Sequence, residues 1–343
     1  MFFRSLSLTE FFQAYYLQEK EFGIFAGNSE KTSLKKRKRK KLWRSICEVK
    51  LLAERAANSE TPVIITGETG TGKEMFAHAI HNNSSRAGKP FLVINCSAIP
   101  ETLSESYLFG YEEGSFTGAS RNGRVGLFEA CDGGTVVLDE IGEMNPLLQA
   151  KLLRVVEQQE VIRVGSFKPI PINVRVIAST NRDLWQMAKA GTFRQDLIYR
   201  LSVFNLVIPP LRERLDDIPL LVDHFIRTIA PANNKKIRGI TREALDYLFH
   251  YSWPGNIREL KNVIEQAITV SESSLLQVKD LPRYLTNPMN SLNPSLKEVR
   301  DAAEKVYIAQ ILQIVGGNRQ EAANLLNISL STLCRKLRQH ALI

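Results

Sequence analysis

The sequence predicts an α/β protein with a parallel sheet covered by helices on both faces, followed by purely helical segments. Five short apolar runs rich in Val and Ile lie between residues 62 and 210. Helical patterns, such as those at 73–82 and 146–158, separate most of them. Continuous apolar strands that alternate with helices indicate parallel strands buried on both faces. The runs are PVIITG (62–67), FLVINC (91–96), TVVLDE (135–140), VRVIAST (174–180) and FNLVIPP (204–210).

The same patterns divide the chain into five segments. After residue 210 no strand signal remains, and apolar residues recur at helical spacing up to about residue 285. A stretch rich in Asn, Ser and Pro then reads as a linker. A helix over about 296–315, a Gly-Gly stop and two short helices complete the chain. The predicted segments are a basic extension (1–43), an α/β subdomain (44–210), a helical subdomain (211–285), a linker (286–295) and a C-terminal helical domain (296–343).

Composition and charge exclude several classes of protein. The chain has 343 residues and 44% apolar content, as expected for globular domains, and no apolar run long enough to span a bilayer. Its N-terminus does not have the pattern of a signal peptide, so we expect a cytoplasmic protein without membrane contact. The net charge is +9, and the run KKRKRKK at 35–41 supplies seven of these charges. Such a run either contacts phosphate backbones or remains solvated.

The cysteine and histidine spacings give no sign of a disulfide framework or a metal site. The four cysteines are far apart and form no CxxC pair, which fits a reducing compartment. His78 and His81 are three residues apart, but no further ligand cluster supports a metal site there.

A glycine-rich loop follows the first predicted strand and precedes a helix. In this context backbone N–H groups surround phosphates at the helix N-terminus, and the lysine reaches the terminal phosphates. The strict motif has Ser or Thr after the lysine as a magnesium ligand, whereas this chain has Glu74. The predicted phosphate loop comprises Gly67, Glu68, Thr69, Gly70, Thr71, Gly72, Lys73 and Glu74.

Two carboxylates close the third predicted strand, in GGTVVLDEI. In a parallel sheet the carboxyl ends of the strands are where ligands bind. Asp139 can therefore hold Mg²⁺, and Glu140 can orient or deprotonate an attacking water. Arginine side chains that add positive charge accelerate phosphoryl transfer, and FRQDLIYRL offers Arg194 and Arg200. Taken alone, those arginines would be assigned to surface salt bridges.

The last 28 residues have the pattern of a helix-turn-helix. Asn327 lies at the break between two short helices, and Ser329 is a natural N-cap for the second. An apolar face is predicted to join the helices, and the second helix would enter the DNA major groove. A plain helical hairpin is the alternative. The apolar face comprises Ala322, Leu325, Leu326, Ile328, Leu333 and Leu337, and the predicted DNA contacts are Ser331, Thr332, Arg335, Lys336 and Arg338.

From about residue 46 to the C-terminus, these motifs together resemble sigma-54-dependent transcriptional activators, the NtrC-type branch of the AAA+ ATPases. The resemblance implies an AAA+ subdomain, a helical lid and a Fis-type helix-turn-helix. The implied ligands are ATP and Mg²⁺, and the implied partners are sigma-54 RNA polymerase and double-stranded DNA. The motifs are GETGTGKE, FLVINC, LFGYEEGSFTGA, GGTVVLDEI, STNRDL, FRQDLIYRL, IPPLRER and WPGNIRELKN.

The resemblance also implies roles for individual residues. Asn95 corresponds to the residue that holds the catalytic Glu140, and Arg258 to a second sensor that reads the γ-phosphate. Thr180 and Asn181 correspond to the first sensor. Arg194 and Arg200 correspond to fingers that act on the ATP of the neighbouring subunit, which implies a ring, typically a hexamer. The resemblance also implies contact with sigma-54 and promoter DNA for a segment where the family usually reads GAFTGA, called the sigma-54 segment below. It comprises Gly114, Ser115, Phe116, Thr117, Gly118 and Ala119.

The chain departs from the family pattern in three places. In the presensor hairpin, VIRVGSFKPIPINVRV differs from the usual double glycine. KKRKRKKLWR stands where the family has a short Gly- and Ser-containing block that helps to form the adenine pocket. Residues 1–43 are shorter than the sensory domain that most members carry. We expect constitutive activity or control by a separate protein, or else residues 1–43 are a worn remnant and the protein is partly decayed. The main hypothesis is an ATP-driven transcriptional activator. The alternatives are an ATP- and DNA-binding regulator without motor activity and an ATPase of another AAA+ branch.

Overall fold

The computed structural model describes residues 46, 48–115, 123–286, 304, 307–309, 311–312, 315 and 318–339. The described chain forms two compact units. The first reaches to Leu220 and also includes Gly255–Glu259. The second comprises Leu221–Pro254 and the described residues from Leu260 onward.

The first unit contains a five-stranded parallel sheet with the strand order β2–β5–β8–β1–β9. Its register places the ends of the strands together: Asn95 lies opposite Asp139, and Thr66 lies opposite Thr180. The carboxyl ends of the central strands therefore form one edge, as the sequence predicts. The strands are β1 Val63–Thr66, β2 Phe91–Asn95, β5 Thr135–Asp139, β8 Arg175–Thr180 and β9 Phe204–Val207.

Two apolar clusters form the core of this unit. Along β1, Val63 and Ile65 belong to one cluster, while Ile64 belongs to the other. Because successive strand residues point to opposite faces, this alternation shows that both faces of the sheet are buried. The α/β prediction is confirmed. The helices are α1 at 48–57, α2 Lys73–Asn82, α3 Glu101–Phe109, α4 Leu127–Ala130, α5 Pro146–Gln158, α6 Leu184–Lys189 and α7 Gln195–Leu201.

Two short antiparallel pairs project from this framework. Strand β3 (Gly110–Tyr111) pairs with β4 (Arg124–Val125), and β6 (Glu160–Val161) pairs with β7 (Ile170–Pro171). Tyr111 also forms a bridge to Val164 between the two pairs.

The second unit is mostly helical, as predicted, with one correction. The expectation of no strand after residue 210 was wrong, because β10 (Gly239–Ile240) pairs in parallel with β11 (Leu275–Leu276). Two residues are too few to produce a period-2 pattern in the sequence. Two helices begin in the first unit and continue in the second, α8 (Ile218–Ala232) and α10 (Asn256–Val270). The other helices are α9 Arg242–His250, α11 Arg283–Thr286, α12 Arg319–Leu325 and α13 Leu330–Gln339.

The C-terminal part of the second unit has a small core of its own. Ile308, Ala322 and Leu333 are buried together, and residues 307–309 are helical as predicted for 296–315. The apolar-face prediction was wrong for Leu325, which is 57% exposed. Among the described residues, no helix combines the length and the apolar character needed to cross a membrane.

Candidate phosphate-binding site

The loop between β1 and α2 has the backbone of a phosphate cradle. Gly70 and Gly72 adopt φ angles of 80° and 101°, which side chains rarely tolerate. A Cβ on Gly70 would lie 2.3 Å from the carbonyl oxygen of Gly255, so no other residue fits there. Gly72 caps α2, and no side chain bonds to its first N–H groups. Those N–H groups and the helix dipole favour an anion at this point.

Lys73 brings the positive charge of this site into a buried position. The residue is 8% exposed, and its Nζ donates to the carbonyl oxygens of Gly67 at 2.9 Å and Glu68 at 3.2 Å. Burial lowers the pKa of Lys73, and the charge of Arg258 lowers it further, while Asp139 and Glu140 oppose the shift. The lysine therefore lies within electrostatic reach of both predicted carboxylates.

Asp139 and Glu140 lie at the carboxyl edge of the sheet, in different backbone conformations. Asp139 ends β5, and its Oδ1 accepts a hydrogen bond from Ser179 Oγ at 2.6 Å. Glu140 has a φ of 55° and a ψ of 46°, the left-handed conformation, which costs a residue other than glycine about 1 kcal/mol or more. Carboxylate oxygens are the donors that Mg²⁺ prefers, so this edge fits the ion.

Thr180 and Asn181, the predicted first sensor, and Asn95, the predicted partner of Glu140, lie at the same edge of the sheet. Asn181 Nδ2 donates to Thr69 Oγ1 in the phosphate loop at 3.1 Å. Thr180 Oγ1 accepts from the backbone N–H of Arg182 at 3.0 Å. Asn95 Oδ1 accepts from the N–H and the Oγ of Ser97 at 2.9 and 2.7 Å.

The turn at Asn256 supports the phosphate loop through hydrogen bonds. Asn256 is fully buried, with a φ of 53°. Its Oδ1 accepts from the N–H of Leu211 at 2.7 Å, and its Nδ2 donates to Thr69 O at 3.0 Å. The N–H of Ile257 donates to Gly70 O at 3.0 Å, which brings the start of α10, and with it Arg258, against the loop.

Sequence reasoning missed Asn256 as a site residue, and it missed a second contact of the loop. Arg212 donates to both carboxylate oxygens of Glu68, at 2.7 and 2.5 Å. This hydrogen-bonded pair lowers the pKa of Glu68. Glu68 and Arg212 are separated by 144 positions, so spacing alone could not connect them.

We expect Asn256→Ala to lower the free energy of unfolding by about 2–3 kcal/mol, because it leaves the buried N–H of Leu211 without its acceptor and a left-handed Ala is strained. ATP affinity should fall as well, since the loop loses its support at Thr69. Denaturant titration and nucleotide titration measure the two effects. The matched control is the exposed Asn205, whose replacement by Ala should change stability by no more than about 0.5 kcal/mol. Equal effects of the two substitutions would contradict the assignment.

Arg194 and Arg200 lie at the two ends of α7, and both are exposed. Arg194 pairs with Asp196 at 2.7 Å, and Arg200 pairs with Glu157 at 2.5 Å. Both partners lie outside residues 67–74. The guanidinium groups of both arginines therefore lie on the surface of the first unit.

The predicted sigma-54 segment is described only at its start. Gly114 has a φ of 69° with open space around its α-carbon, and Ser115 Oγ donates to Glu112 O at 2.7 Å. Phe116, Thr117, Gly118 and Ala119 lie outside the described residues.

The C-terminal helices have the geometry predicted for a helix-turn-helix. Asn327 adopts a φ of 54° at the turn, and Ser329 Oγ accepts from the N–H of Thr332 at 3.2 Å as the cap of α13. Ser331 and Arg335 are exposed on α13, whereas Thr332 is half-buried. Lys336 forms an ion pair with Glu304, and the side chain of Arg338 lies outside the described residues.

Three family models match successive parts of the chain. The Sigma-54 interaction domain matches residues 41–207, the AAA+ ATPase lid domain matches 212–297, and the Fis family of bacterial regulatory proteins matches 300–340. The chain belongs to the sigma-54-dependent transcriptional activators. The predicted family and the predicted fold class, an AAA+ domain with a helical lid and a C-terminal helix-turn-helix, are thereby confirmed.

Several activators and regulators of known sequence or structure are similar to this chain over most of its length. Regulatory protein AtoC of Escherichia coli K12 is 46% identical over 295 residues, which cover 83% of this chain and 64% of AtoC. FlbD of Caulobacter vibrioides is 43% identical, over 84% of this chain and 67% of FlbD. The structure of NtrX from Brucella abortus in complex with ADP gives a TM-score of 0.66 at 32% identity, over 95% of this chain and 73% of NtrX. The chain thus spans about 64% of the length of AtoC.

Proposed function

We propose that this sigma-54 activator family member hydrolyses ATP and uses the energy to convert closed complexes of sigma-54 RNA polymerase into open ones. The observation that carries the proposal is the placement of the phosphate loop beside the Asp139–Glu140 edge of the sheet. The family match supports the same function.

ATP is held by the loop of residues 67–74. The glycines leave room for phosphate oxygens next to backbone N–H groups, and the start of α2 faces the negative charge. Lys73 neutralises the terminal phosphates. A bound Mg²⁺, held by Asp139 directly or through water, would neutralise further phosphate charge. Ser179 fixes the orientation of the Asp139 carboxylate through their 2.6 Å hydrogen bond.

Glu140 positions and deprotonates the water that attacks the γ-phosphate. Its left-handed backbone directs the residue out of the line of the strand, and the adjoining structure has to offset the cost of this conformation. Asn95 restrains Glu140 in one nucleotide state. Thr180, Asn181 and Arg258 respond to the γ-phosphate, and Asn181 already contacts the loop at Thr69.

Hydrolysis requires a neighbouring copy of the chain. Arg194 and Arg200 are exposed and pair only with carboxylates of their own surface among the described contacts, so they can be presented to the active site of another subunit. Arginines that stabilise the transition state in this way raise rates by roughly 10³–10⁵. Repetition of one such heterologous contact closes a ring, for which we propose a hexamer.

The conformational change that follows ATP hydrolysis is transmitted to the polymerase through the segment Gly114–Ala119. Phe116 and Thr117 of this segment contact sigma-54. The double-stranded DNA upstream of the promoter is bound by α13, through Ser331, Thr332, Arg335, Lys336 and Arg338. Attachment to DNA near the promoter keeps the ATPase at a high local concentration relative to the polymerase.

We expect Arg335→Ala to weaken binding to the upstream DNA site by about tenfold, because Arg335 is exposed on the helix that enters the major groove. Fluorescence anisotropy at several salt concentrations measures the affinity and its salt slope. If the slope of log affinity against log salt concentration falls in magnitude by about one, the arginine contacts a phosphate. If the slope is unchanged and sequence specificity is relaxed, the arginine contacts a base. Lys279→Ala, which removes an exposed charge outside α13, is the control. Unchanged affinity in Arg335→Ala would remove α13 from the interface.

The test of the proposed function is promoter opening by the purified chain. Permanganate reactivity of thymines near the start site should appear with sigma-54 RNA polymerase and ATP, and it should be absent with a non-hydrolysable ATP analogue. Reactivity that is equal with both nucleotides would overturn the proposal. No opening, together with intact DNA binding and no hydrolysis at any protein concentration, would favour a DNA-binding regulator without motor activity.

A further inference from the structure

Phe167 is exposed at the tip of the β6–β7 hairpin. Its side chain is 97% exposed, whereas every other phenylalanine in the described part of the chain is buried or half-buried. The hairpin turns at Gly165, which has a φ of 80°, so the ring is held at the end of a short, ordered strand pair. A fully solvated aromatic ring at a loop tip is available for contact with a partner.

The hairpin is joined to the base of the predicted sigma-54 segment. The N–H of Glu112 donates to Val164 O at 3.0 Å, and the N–H of Val164 donates to Gly110 O at 2.9 Å. Arg163 adds an ion pair with Glu129 at 2.7 Å and one with Glu112 at 3.4 Å. These bonds predict that the hairpin and the base of the segment move as one body.

The two elements also touch at the start of the sigma-54 segment. A Cβ built on Gly165 would lie 2.6 Å from the Cβ of Ser115, so the backbones are in close contact there. Phe116 follows Ser115 directly in the chain. The hairpin tip with Phe167 therefore begins next to the segment that the proposed function assigns to the polymerase.

The charge of the hairpin identifies the kind of partner. Residues 162–169, which join the two strands of the hairpin, contain no carboxylate, and their two charged residues are Arg163 and Lys168. Arg163 is engaged by Glu129 and Glu112, so the charge at the tip is that of Lys168, which is exposed directly beside Phe167. An aromatic ring beside a cation is the combination that binds single-stranded nucleic acid, because the ring stacks on a base and the cation pairs with a phosphate.

We propose that Phe167 and Lys168 form a second contact of this activator, directed at promoter DNA, in which Phe167 stacks on a base as the strands separate. This inference rests on the proposed function, since it assumes that the hairpin is carried to the promoter. It assigns the DNA strand, and not the sigma-54 polypeptide, to the hairpin tip.

A crosslinking experiment identifies the partner. Phe167 is replaced by p-benzoylphenylalanine in the full chain, which is mixed with sigma-54 RNA polymerase, ATP and a labelled promoter fragment that lacks the upstream site. We expect a light-dependent crosslink to DNA within the opening region. The same replacement at Tyr247, which is 39% exposed on α9, is the control and should give none. A crosslink from position 167 to sigma-54 and not to DNA would overturn the proposal.

A second measurement tests whether the contact contributes to opening. Phe167→Ala should hydrolyse ATP within about twofold of the wild-type rate but open the promoter about tenfold less, since one base–aromatic stack is lost. Phe167→Trp should restore opening, and a promoter with mismatched, unpaired start-site bases should remove the defect. If Phe167→Ala opens the paired promoter as well as the wild type, the proposal is wrong. Failure of the wild type itself would instead contradict the proposed function.

Discussion

Replacement of Glu140 by Gln is expected to reduce ATP hydrolysis by about 10²–10⁴-fold, the usual contribution of a positioned general base. The amide keeps the size of the side chain but cannot accept the proton of the attacking water. ATP binding should remain intact, because the substitution removes a negative charge near the phosphates and leaves Lys73 and the loop unchanged. Steady-state hydrolysis and equilibrium nucleotide titration separate the two effects.

The matched control for this substitution is Glu143→Gln. Glu143 lies three residues beyond Glu140, is exposed, and forms an ion pair with Arg182 at 2.5 Å. Loss of this surface pair should cost at most about 1 kcal/mol of stability and should leave hydrolysis near the wild-type rate. If Glu143→Gln loses hydrolysis and Glu140→Gln retains it, the assignment of the base is wrong.

Arg194→Ala and Arg200→Ala are expected to lower hydrolysis by roughly 10³-fold or more each, by the loss of transition-state stabilisation. Neither substitution should unfold the protein, because both arginines are exposed and their ion pairs are of the weakly stabilising surface kind. Asp196→Ala is the control for Arg194, since it removes the same ion pair but leaves the arginine. Asp196→Ala should retain hydrolysis. If Asp196→Ala also lost hydrolysis, the effect of Arg194→Ala would be assigned to the loss of the ion pair.

Mixing two inactive variants tests whether the arginine acts on a neighbouring subunit. Arg194→Ala has an intact Glu140, and Glu140→Gln has an intact Arg194. In mixed rings some interfaces combine the two intact residues, so an equal mixture should recover roughly a quarter of the wild-type rate. A mixture that stays as inactive as its components would contradict action in trans.

Those parts of the fold that depend on local pattern could be predicted from the sequence. The five strands of the parallel sheet lie within short apolar runs, and the phosphate loop is a contiguous motif between a strand and a helix. Two-residue strands such as β10 and β11 are too short to show a period-2 pattern of apolar residues, so the sequence did not predict them. Leu325 was assigned to an apolar face by its residue type, but it is exposed in the structure.

The parts of the site that depend on tertiary contacts could not be predicted. Asn256 connects Leu211 and Thr69 through one amide, across 45 and 187 positions of the chain. The left-handed conformation of Glu140 has no local signal, because glutamate does not favour that region. Phe167 would be placed in a core by its residue type, and only the hairpin geometry shows that it is solvated.

The central claim is that ATP hydrolysis is coupled to promoter opening through the segment that begins at Gly114. The most direct test measures hydrolysis and opening side by side for the wild type and Thr117→Ala. The account predicts that Thr117→Ala hydrolyses ATP at the wild-type rate, with the same steep dependence on protein concentration, and fails to open a sigma-54 promoter. Opening at the wild-type level by Thr117→Ala would contradict it.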